Sequence, residues 1–485
     1  MKFTLTIHCG SNVIKNEYEK PISLLTAIQD SGFVFDAPCG GKGLCGNCKV
    51  YAYGSVNEPS QKEMDFLGDE IKNGVRLACM TTAFSDATVY IPKNFDFKTS
   101  TSNSLSINIS PITEEKSCFA CALDVGTTTL VFRYFSLPEG KLVFEESLPN
   151  PQRKHGADVL TRIDFASNGG LNILRDEIET AITESKNRFG KEIEYYVITG
   201  NTAMLHILSG KNPQGIAVAP FQPETLFGFW KGNRYYMSCA SAYIGADVVA
   251  SLLASGITEN EEKALLLDIG TNNECILWNE NELTACSSPA GPAFEGGNIS
   301  CGMTAFGGAI YKAEDKNGKL EVYTVDRSED PMGFCGSGLI DVVAYLFVNG
   351  YIAKDGSVLK DFPSFGKARL LPEDIAELQL AKSAVYAGIL TLLSDSDLQP
   401  SDIQTLYLTG NFGNYINTDN AKTIGLIPKE TKSVSLGYSA IDGASMALLN
   451  RNLMKKSEEL SKKIRTIELA DSEFFAKSFI ENMYF

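Results

Sequence analysis

Two short segments of this 485-residue chain repeat one pattern, and the repeat constrains the fold more than any other feature. Asp124-Val-Gly-Thr-Thr-Thr129 and Asp268-Ile-Gly-Thr-Asn-Asn273 lie 144 residues apart, and each follows an apolar run typical of a buried strand. Strand-like runs and long amphipathic stretches alternate after Phe119, and the same order restarts at Lys263. The pattern predicts two related halves, each a sheet covered by helices, facing each other across a cleft.

Each copy of the pattern is suited to binding phosphate. A strand that ends in Asp and continues through Gly and hydroxyl residues into a second strand forms a tight turn, which presents backbone amides and hydroxyls. The preceding aspartate can hold Mg²⁺ directly or through water. Two such turns facing each other would clamp the phosphates of a nucleotide from both sides. Two ordinary hairpins are the alternative, because Asp-Gly turns are common.

A third segment joins an apolar strand to glycines. Leu406-Tyr-Leu-Thr409 is followed by Gly410-Asn411-Phe412-Gly413. Such a break lets the backbone approach an adenosine or ribose closely. We interpret it as a nucleoside contact, with an ordinary strand-to-helix turn as the alternative.

Four cysteines have the spacing of a metal centre. Cys39, Cys45 and Cys48 lie on a Gly-rich loop, and Cys79 follows after thirty intervening residues. Four thiolates complete the coordination of two irons, and glycines let the loop wrap closely around a cluster. We interpret the set as the ligands of a 2Fe–2S cluster. A zinc site and four unligated core cysteines are the alternatives.

Composition excludes several classes of protein. The formal net charge is −16 and the sequence pI about 4.8, which leaves no broad positive face for nucleic acid or an anionic membrane. No apolar run approaches the roughly 18 residues of a membrane span. The N-terminus lacks the apolar core of a signal peptide, so we expect a cytoplasmic protein.

The chain divides into two modules and a tether. Residues 1–95 show short strands and turns around one helical stretch. In 99–110, seven of twelve residues are Ser or Thr, typical of a flexible linker, which we place at 96–117. The second module is 118–485, with halves at roughly 118–256 and 257–485.

The order of the three nucleotide-type segments resembles that of the actin-like ATPase superfamily. With a ferredoxin module in front, the whole chain resembles the reductive activators of corrinoid proteins. Further segments resemble sequence motifs of that family, namely Asn150-Pro-Gln, Gly156-Ala-Asp-Val159, Gly200-Asn-Thr-Ala-Met204, Ala242-Tyr-Ile-Gly-Ala-Asp247, Ser288-Pro-Ala-Gly-Pro-Ala-Phe-Glu-Gly296 and Cys335-Gly-Ser-Gly-Leu-Ile-Asp341.

The resemblance implies a fold class and an activity. The fold would be an α+β ferredoxin-like (β-grasp) 2Fe–2S domain followed by a two-lobed α/β actin-like ATPase, a duplicated RNase H-like domain. The activity would be ATP-dependent electron transfer from the 2Fe–2S cluster to the Co(II) state of a corrinoid methyl-carrier protein, restoring Co(I). ATP and Mg²⁺ are the other implied cofactors. An electron donor that the sequence does not identify and a homodimer complete the expected partners.

Other functions fit parts of the pattern. A small-molecule kinase could use the same actin-like fold, although nothing then explains the cysteine cluster. A redox or scaffold protein with a degenerate nucleotide site is a second alternative. ATP-driven electron transfer to a different metalloenzyme is a third.

The resemblance also assigns roles to individual residues. Asp124 and Asp268 would position the metal and its water. Asp247, at a predicted helix start, is a candidate for orienting the attacking water, with a simple helix-terminal charge as the alternative. Glu274 could assist either. The phosphate and nucleoside contacts would be Gly126, Thr127, Thr128, Gly270, Thr271, Asn272, Gly410, Asn411 and Gly413.

Two departures from the family pattern affect these expectations. Only the short stretch from Pro92 to Phe119 separates the modules, so we expect a shortened member without the family's middle domain. The second turn reads Thr271-Asn272-Asn273-Glu274 where the family often has Asn-Gly-Glu, and Asn411 stands where the family usually has glycine. Because asparagine tolerates positive φ better than other non-glycine residues, we expect both turns to be retained.

Overall fold

The fold is taken from a computed structural model of the chain. Cys39 and Cys45, two of the predicted cluster ligands, and most of the predicted linker lie outside the residues that it describes. The described residues are 2–9, 12–31, 35, 41, 43, 46, 48–91, 108–112, 117–156, 158–305, 307–325, 327, 330–413 and 415–485.

The N-terminal unit is a mixed sheet with one helix in its core. The sheet order is β2-β1-β6-β4-β5, with β3 on β6; β1 and β6 are parallel and the other pairs antiparallel. Alternation in β1 buries Phe3, Leu5 and Ile7 on one face. The elements are β1 (Phe3–Cys9), β2 (Asn12–Tyr18), β3 (Ile22–Ser23), α1 (Leu24–Asp30), β4 (Lys49–Val56), α2 (Gln61–Leu67), β5 (Val75–Leu77) and β6 (Thr82–Ile91).

Two further six-stranded sheets are built from the rest of the chain. The first contains strands of 118–236, in the order β11-β12-β10-β7-β8-β9. The elements of this part are β7 (Cys118–Val125), β8 (Thr129–Leu137), β9 (Lys141–Pro149), α3 (Val159–Phe165), α4 (Leu171–Phe189), β10 (Tyr195–Gly200), α5 (Thr202–Ser209), α6 (Gln214–Ala217), β11 (Phe229–Lys231), β12 (Arg234–Tyr236) and α7 (Ala246–Ser255).

The second large sheet has the order β20-β19-β13-β14-β15-β21, beside a small sheet β17-β16-β18. The elements are β13 (Ala264–Ile269), β14 (Asn272–Asn279), β15 (Glu282–Pro289), β16 (Ala309–Lys316), β17 (Lys319–Thr324), β18 (Gly333–Phe334), α8 (Gly336–Val348), α9 (Pro372–Asp395), β19 (Thr405–Thr409), α10 (Gly410–Gly413), α11 (Thr418–Thr423), β20 (Lys432–Ser435), α12 (Ser439–Leu449), α13 (Arg451–Lys463), β21 (Ile464–Thr466) and α14 (Glu473–Glu481).

The two large sheets share one topology, as the repeat in the sequence predicts. In the first, β7, β8 and β9 form an antiparallel meander, and β10 and then β12 add in parallel beside β7. In the second, β13, β14 and β15 form the meander, and β19 and β20 add in parallel beside β13. Each predicted phosphate loop is therefore the first hairpin of its sheet.

Helix α12 returns to the first sheet. Ile441 and Leu448 of α12 are buried in the core formed by that sheet. Arg133 of β8 forms an ion pair with Asp442, and a Cβ on Gly443 would lie 1.9 Å from the Ala250 carbonyl of α7. The apolar face of α12 is thus covered by β7, β10 and α7, so this helix of the second half packs on the first.

The end of the predicted linker is fixed to this same region. Ser110 N–H donates to the Leu449 carbonyl at 2.9 Å, and Arg451 N–H donates to the Ser110 carbonyl at 3.0 Å. Asn450 Nδ2 donates to the Asn108 carbonyl at 2.7 Å. The backbone of 108–110, near the end of the predicted linker, is therefore held at the α12–α13 junction.

The longest described helix, α9, spans 24 residues in the core of the second half. It buries Ile375 and Leu392 but also the charged Lys382. Within the described parts of the chain, no helix combines the length and apolarity needed to cross a bilayer.

A buried ion pair stabilises the N-terminal unit. Arg76 Nε and Nη2 donate to the two carboxylate oxygens of Glu63, each at 3.0 Å, and Glu63 is fully buried. Glu63 also accepts the Leu77 N–H at 2.8 Å and the Thr81 hydroxyl at 3.2 Å. The pair therefore joins α2 to the end of β5, directly before Cys79.

Replacing Arg76 with Met should lower the free energy of unfolding of this unit by about 3–5 kcal/mol, because the Glu63 carboxylate would stay buried without its counterion. Hydrogen exchange of peptides from 2–91 in the full chain, followed through a urea titration, measures the loss. Lys49→Met breaks the exposed Lys49–Glu70 pair and should cost at most about 1 kcal/mol. Equal losses in the two variants would contradict the role of the buried pair.

Candidate functional site

The two repeated aspartates occupy equivalent positions. Asp124 lies near the end of β7, paired in register with Thr199 of β10, and Asp268 lies near the end of β13, paired with Thr409 of β19. Both carboxylates thus lie where parallel strands end and their loops begin. This is the place at which the sequence predicts the phosphate turns.

Four carboxylates interact electrostatically at this point, from both sheets and from α7. Asp247, in the first turn of α7, acts on Asp124, on Asp268 and on Glu274, which is paired with Asp268 across β13 and β14. All four side chains keep partial exposure to solvent. The structure therefore brings together the three predicted catalytic aspartates and Glu274.

Burial raises the pKa of each of the four carboxyl groups, and the charges of neighbouring carboxylates raise it further for Asp124, Asp268 and Glu274. The pKa of Asp124 is raised to about 8, mainly by burial and further by the charges of Asp247 and Asp268. The pKa of Asp268 is raised to about 7, mainly by burial and further by the charge of Asp247. Burial raises the pKa of Asp247 to about 6, although the Val248 N–H opposes the shift, and raises that of Glu274 well above its ordinary value. Such crowding of like charge is unfavourable unless a cation joins it.

One oxygen of the set has no protein partner. Asp124 Oδ1 is buried and accepts no hydrogen bond from the described residues. No three acidic, His or Cys side chains in the described parts of the chain enclose a metal by themselves. The arrangement fits Mg²⁺, which is usually held by one or two carboxylates together with water and phosphate oxygens.

The first phosphate loop leaves no room for a side chain at Gly126. Its N–H donates to the Thr129 carbonyl at 3.0 Å, and a Cβ there would lie 2.6 Å from that oxygen. Thr127 Oγ1 accepts from Asn201 Nδ2 at 3.0 Å, and Thr128 is exposed. The loop is thus a tight turn with its hydroxyls at the surface.

The second loop runs directly into a strand. Gly270 and Thr271 connect β13 to β14, which begins at Asn272. Asn273 is buried, and its Nδ2 donates to the Ser288 carbonyl at 3.3 Å. The turn is retained, but Asn272 and Asn273 lie in an extended strand, so the positive φ that we expected them to tolerate is not required there.

The segment predicted to contact the nucleoside packs closely against Asp268. Gly410 has φ +81°, and a Cβ on it would lie 2.2 Å from Asp268 Oδ1. Asn411 and Gly413 complete the single turn of α10, and the Phe412 ring stacks on Phe294 with centroids 5.0 Å apart. Left-handed backbone in this turn is therefore supplied by Gly410 and not by Asn411.

Two of the four predicted cluster ligands lie side by side. The Sγ atoms of Cys48 and Cys79 are 3.2 Å apart, well beyond the roughly 2.05 Å of a disulfide. The hydrogen bond from Cys48 lowers the pKa of Cys79 to about 7, against the opposing effect of burial. Gly41, Gly43 and Gly46 all have φ between +66° and +77°, as expected of a loop that depends on glycine.

Sequence reasoning missed the residues behind the first loop. Asn150 and Asn201 lie in segments that resemble motifs of the family, but the resemblance assigned no role to either residue. Arg162 gave no signal at all, because a lone arginine in a helix looks like a solvated charge. All three donate hydrogen bonds to the loop, to Gly126 or Thr127. Cys118 and Cys121 differ in burial, as expected for opposite faces of a strand.

The stability of the nucleotide-free chain should fall as pH rises from about 4 to about 8. Asp124 holds its proton to about pH 8 in the folded state, against an ordinary value of 3.8, so the folded state binds more protons than the unfolded state in this window. Thermal denaturation without Mg²⁺ or nucleotide measures the slope. Asp124→Asn should flatten it, whereas Asp471→Asn, at an exposed site, should keep it. An unchanged slope in Asp124→Asn contradicts the assignment.

Gly410→Ala should weaken MgATP binding at least about tenfold, because the new Cβ forces Asp268 out of place. Gly232→Ala is the matched control, since Gly232 also has positive φ, +63°, but nothing lies within 4 Å of an added Cβ. Both variants carry a similar backbone strain of roughly 1–2 kcal/mol. Calorimetric titration with MgATP should separate them, and equal affinities would refute the contact.

Two sequence models of the RACo family match the chain in succession. The RACo middle region matches residues 119–260, and the C-terminal domain of RACo, the ASKHA domain, matches residues 262–485. The expectation of a shortened member without a middle domain is therefore wrong. The middle region is the first of the two repeated halves, and its sheet repeats the topology of the second, so the sequence repeat assigned it to the ATPase core.

Known proteins resemble most of the chain. It is 31% identical over 424 residues to the corrinoid activation enzyme RamQ of Eubacterium limosum, covering 77% of this chain and 71% of RamQ. It is 24% identical over 413 residues to the Co(II) methylated amine-specific corrinoid protein reductase of Methanosarcina barkeri, covering 74% and 75%. A solved structure of a reductive activator for a corrinoid, iron-sulfur protein shares the fold, with a TM-score of 0.67, 24% identity and coverage of 99% and 98%. The chain belongs to the RACo family, the reductive activators of corrinoid proteins.

Proposed function

We propose that this chain is an ATP-dependent reductive activator that passes one electron from a 2Fe–2S cluster to the Co(II) of a corrinoid methyl-carrier protein and so restores Co(I). The observation that carries the proposal is the crowding of Asp124, Asp247 and Asp268, drawn from both repeated halves, around a buried and unpartnered Asp124 oxygen. The same chain places two thiols, Cys48 and Cys79, side by side.

The acidic cleft is the proposed MgATP site. Asp124 and Asp268 would hold the metal and its water, and Mg²⁺ would displace the proton that Asp124 keeps to about pH 8. Asp247, with a pKa of about 6, is largely ionised at neutral pH and so able to accept a proton from the attacking water. The proposed phosphate and nucleoside contacts are Gly126, Thr127, Thr128, Gly270, Thr271, Asn272, Gly410, Asn411 and Gly413.

The N-terminal unit is the proposed electron carrier. Its mixed sheet packed around α1 supports a ferredoxin-like (β-grasp) domain. Cys39, Cys45, Cys48 and Cys79 are the proposed ligands, and the described pair fits a shared metal centre. The group would supply one electron at a time. We place this domain at 1–95, the linker at 96–117 and the ATPase at 118–485.

The energy balance explains why such a reaction requires ATP. A plant-type 2Fe–2S cluster has a potential of about −400 mV, and returning cobalt to Co(I) is uphill even from there. In a one-electron transfer each 59 mV corresponds to about 1.4 kcal/mol. A gap of roughly a hundred millivolts is therefore within reach of a change in conformation driven by nucleotide binding.

The test is anaerobic reduction of a Co(II) corrinoid protein by this chain with a low-potential reductant, followed by visible absorbance. The Co(I) band should grow only with MgATP present, and Cys48→Ser and Asp268→Asn should each abolish it. Cys301→Ser and Asp471→Asn, outside the proposed sites, should leave it unchanged. A cluster that reduces normally, with ATP turnover indifferent to every corrinoid protein tested, would refute the proposed target.

A further inference from the structure

Arg162 is a buried cation directly behind the first phosphate loop. It lies in α3 with no exposed surface. Its Nη2 donates to the Thr127 carbonyl at 2.6 Å, its Nε to the Gly156 carbonyl at 2.9 Å, and its Nη1 to Gln152 Oε1 at 3.3 Å. All three oxygen acceptors are neutral.

The carboxylates that influence Arg162 have other partners. Asp158 accepts hydrogen bonds from the backbone and hydroxyl of Thr161, and Glu177 pairs with Lys154 and His155. Burial and the nearby Arg153 lower the pKa of Arg162 to about 10, so it remains charged at neutral pH. The guanidinium thus carries a full charge with no carboxylate of its own.

Comparison with a second buried arginine shows what is unusual about the surroundings of Arg162. Arg133 of β8 is also nearly buried, at 4% exposure, but it forms ion pairs with both Glu145 and Asp442. A buried charge without a counterion is costly. Within the described part of the chain Arg162 has no ion pair of this kind, and only the charges of Asp158 and Glu177, which have other partners, act on it.

The loop carbonyls are all directed away from the cleft side of the turn. The Gly126 carbonyl accepts from Asn150 Nδ2 at 2.8 Å, the Thr127 carbonyl from Arg162, and the Thr128 carbonyl from Asn150 N–H at 2.8 Å. A planar trans peptide points its C=O and the following N–H in opposite directions. The N–H groups of Thr127 and Thr128 therefore point away from Asn150 and Arg162, as in an anion-binding nest.

We propose that Arg162 is a positioning residue of the phosphate loop: it holds the Thr127 carbonyl back so that the Thr128 N–H faces the polyphosphate, whose negative charge completes the pairing of the buried guanidinium. The inference rests on the proposed function, since it requires that this loop bind a nucleotide. Arg162 lies behind the loop and acts through it.

Calorimetric titrations of the full chain with MgATP, tripolyphosphate and adenosine test the role. Arg162→Met should weaken MgATP and tripolyphosphate binding at least about tenfold, while adenosine affinity stays within about twofold. Arg162→Lys keeps the charge but cannot hold the Thr127 and Gly156 carbonyls together, so its loss should be smaller but still selective for phosphate.

Arg234→Met is the matched control for a general loss of stability. Arg234 lies on β12, in the sheet that carries the first phosphate loop, but away from that loop. It forms an ion pair with Glu179 through two hydrogen bonds of 2.6 and 2.7 Å. This variant should be less stable yet bind MgATP as the wild type does. If Arg162→Met does not fold, Arg162→Lys tests the inference, again by whether binding of MgATP and tripolyphosphate weakens while adenosine affinity does not change.

The outcomes separate the inference from the proposed function. A wild type that binds neither MgATP nor tripolyphosphate contradicts the nucleotide site itself. A wild type that binds both, with Arg162 variants unchanged or weakened equally toward adenosine, overturns only the role of Arg162.

Discussion

Electrostatic repulsion among the carboxylates of the cleft is the constraint on which the rest of the structure depends. Asp124 and Asp268 come from separate sheets, and α7 adds Asp247 between them. Without a cation this arrangement is held together only because the surrounding sheets and helices are well packed and because protons neutralise part of the charge. The folded state thus stores an unfavourable local interaction that a divalent metal and its ligand relieve, which is a common property of binding sites.

The two halves that carry these charges are tied together by α12. Arg133 pairs with Asp442 across the boundary, and the absence of a side chain at Gly443 lets α12 approach α7 closely. Ser439, the first residue of α12, donates a hydrogen bond to Ser251 of α7 at 2.9 Å and also bonds to Thr409, which precedes the nucleoside segment. The helix that joins the halves is therefore also bonded to the strand that leads into the segment proposed to contact the nucleoside.

Local patterns in the sequence were sufficient to predict the repeated sheets and the placement of Asp124 and Asp268 at the ends of equivalent strands, because strand alternation and turns of the Asp-x-Gly type leave a signature within a few residues. The return of α12 to the first sheet has no such signature. The apolar face of α12 indicates that the helix packs against other elements, but it does not indicate which sheet these belong to. The role of Arg162 is equally invisible, because what distinguishes it is a carboxylate that is missing from its surroundings. The expectation of a missing middle domain was wrong for a related reason, since a middle region that repeats the topology of its neighbour looks in the sequence like part of the same core.

The attachment of residues 108–110 at Asn450 gives α12 a second consequence. This helix has eleven residues and is about 16 Å long, with the nucleoside corner at its first turn and the anchored chain segment beyond its last. An α-helix is stiff over that length, so a small tilt at Ser439 is carried to the anchor as a sideways shift. The fulcrum is the close crossing at Gly443, the fifth of the eleven residues. In mechanical terms α12 is a short lever whose longer arm ends at the anchored segment 108–110.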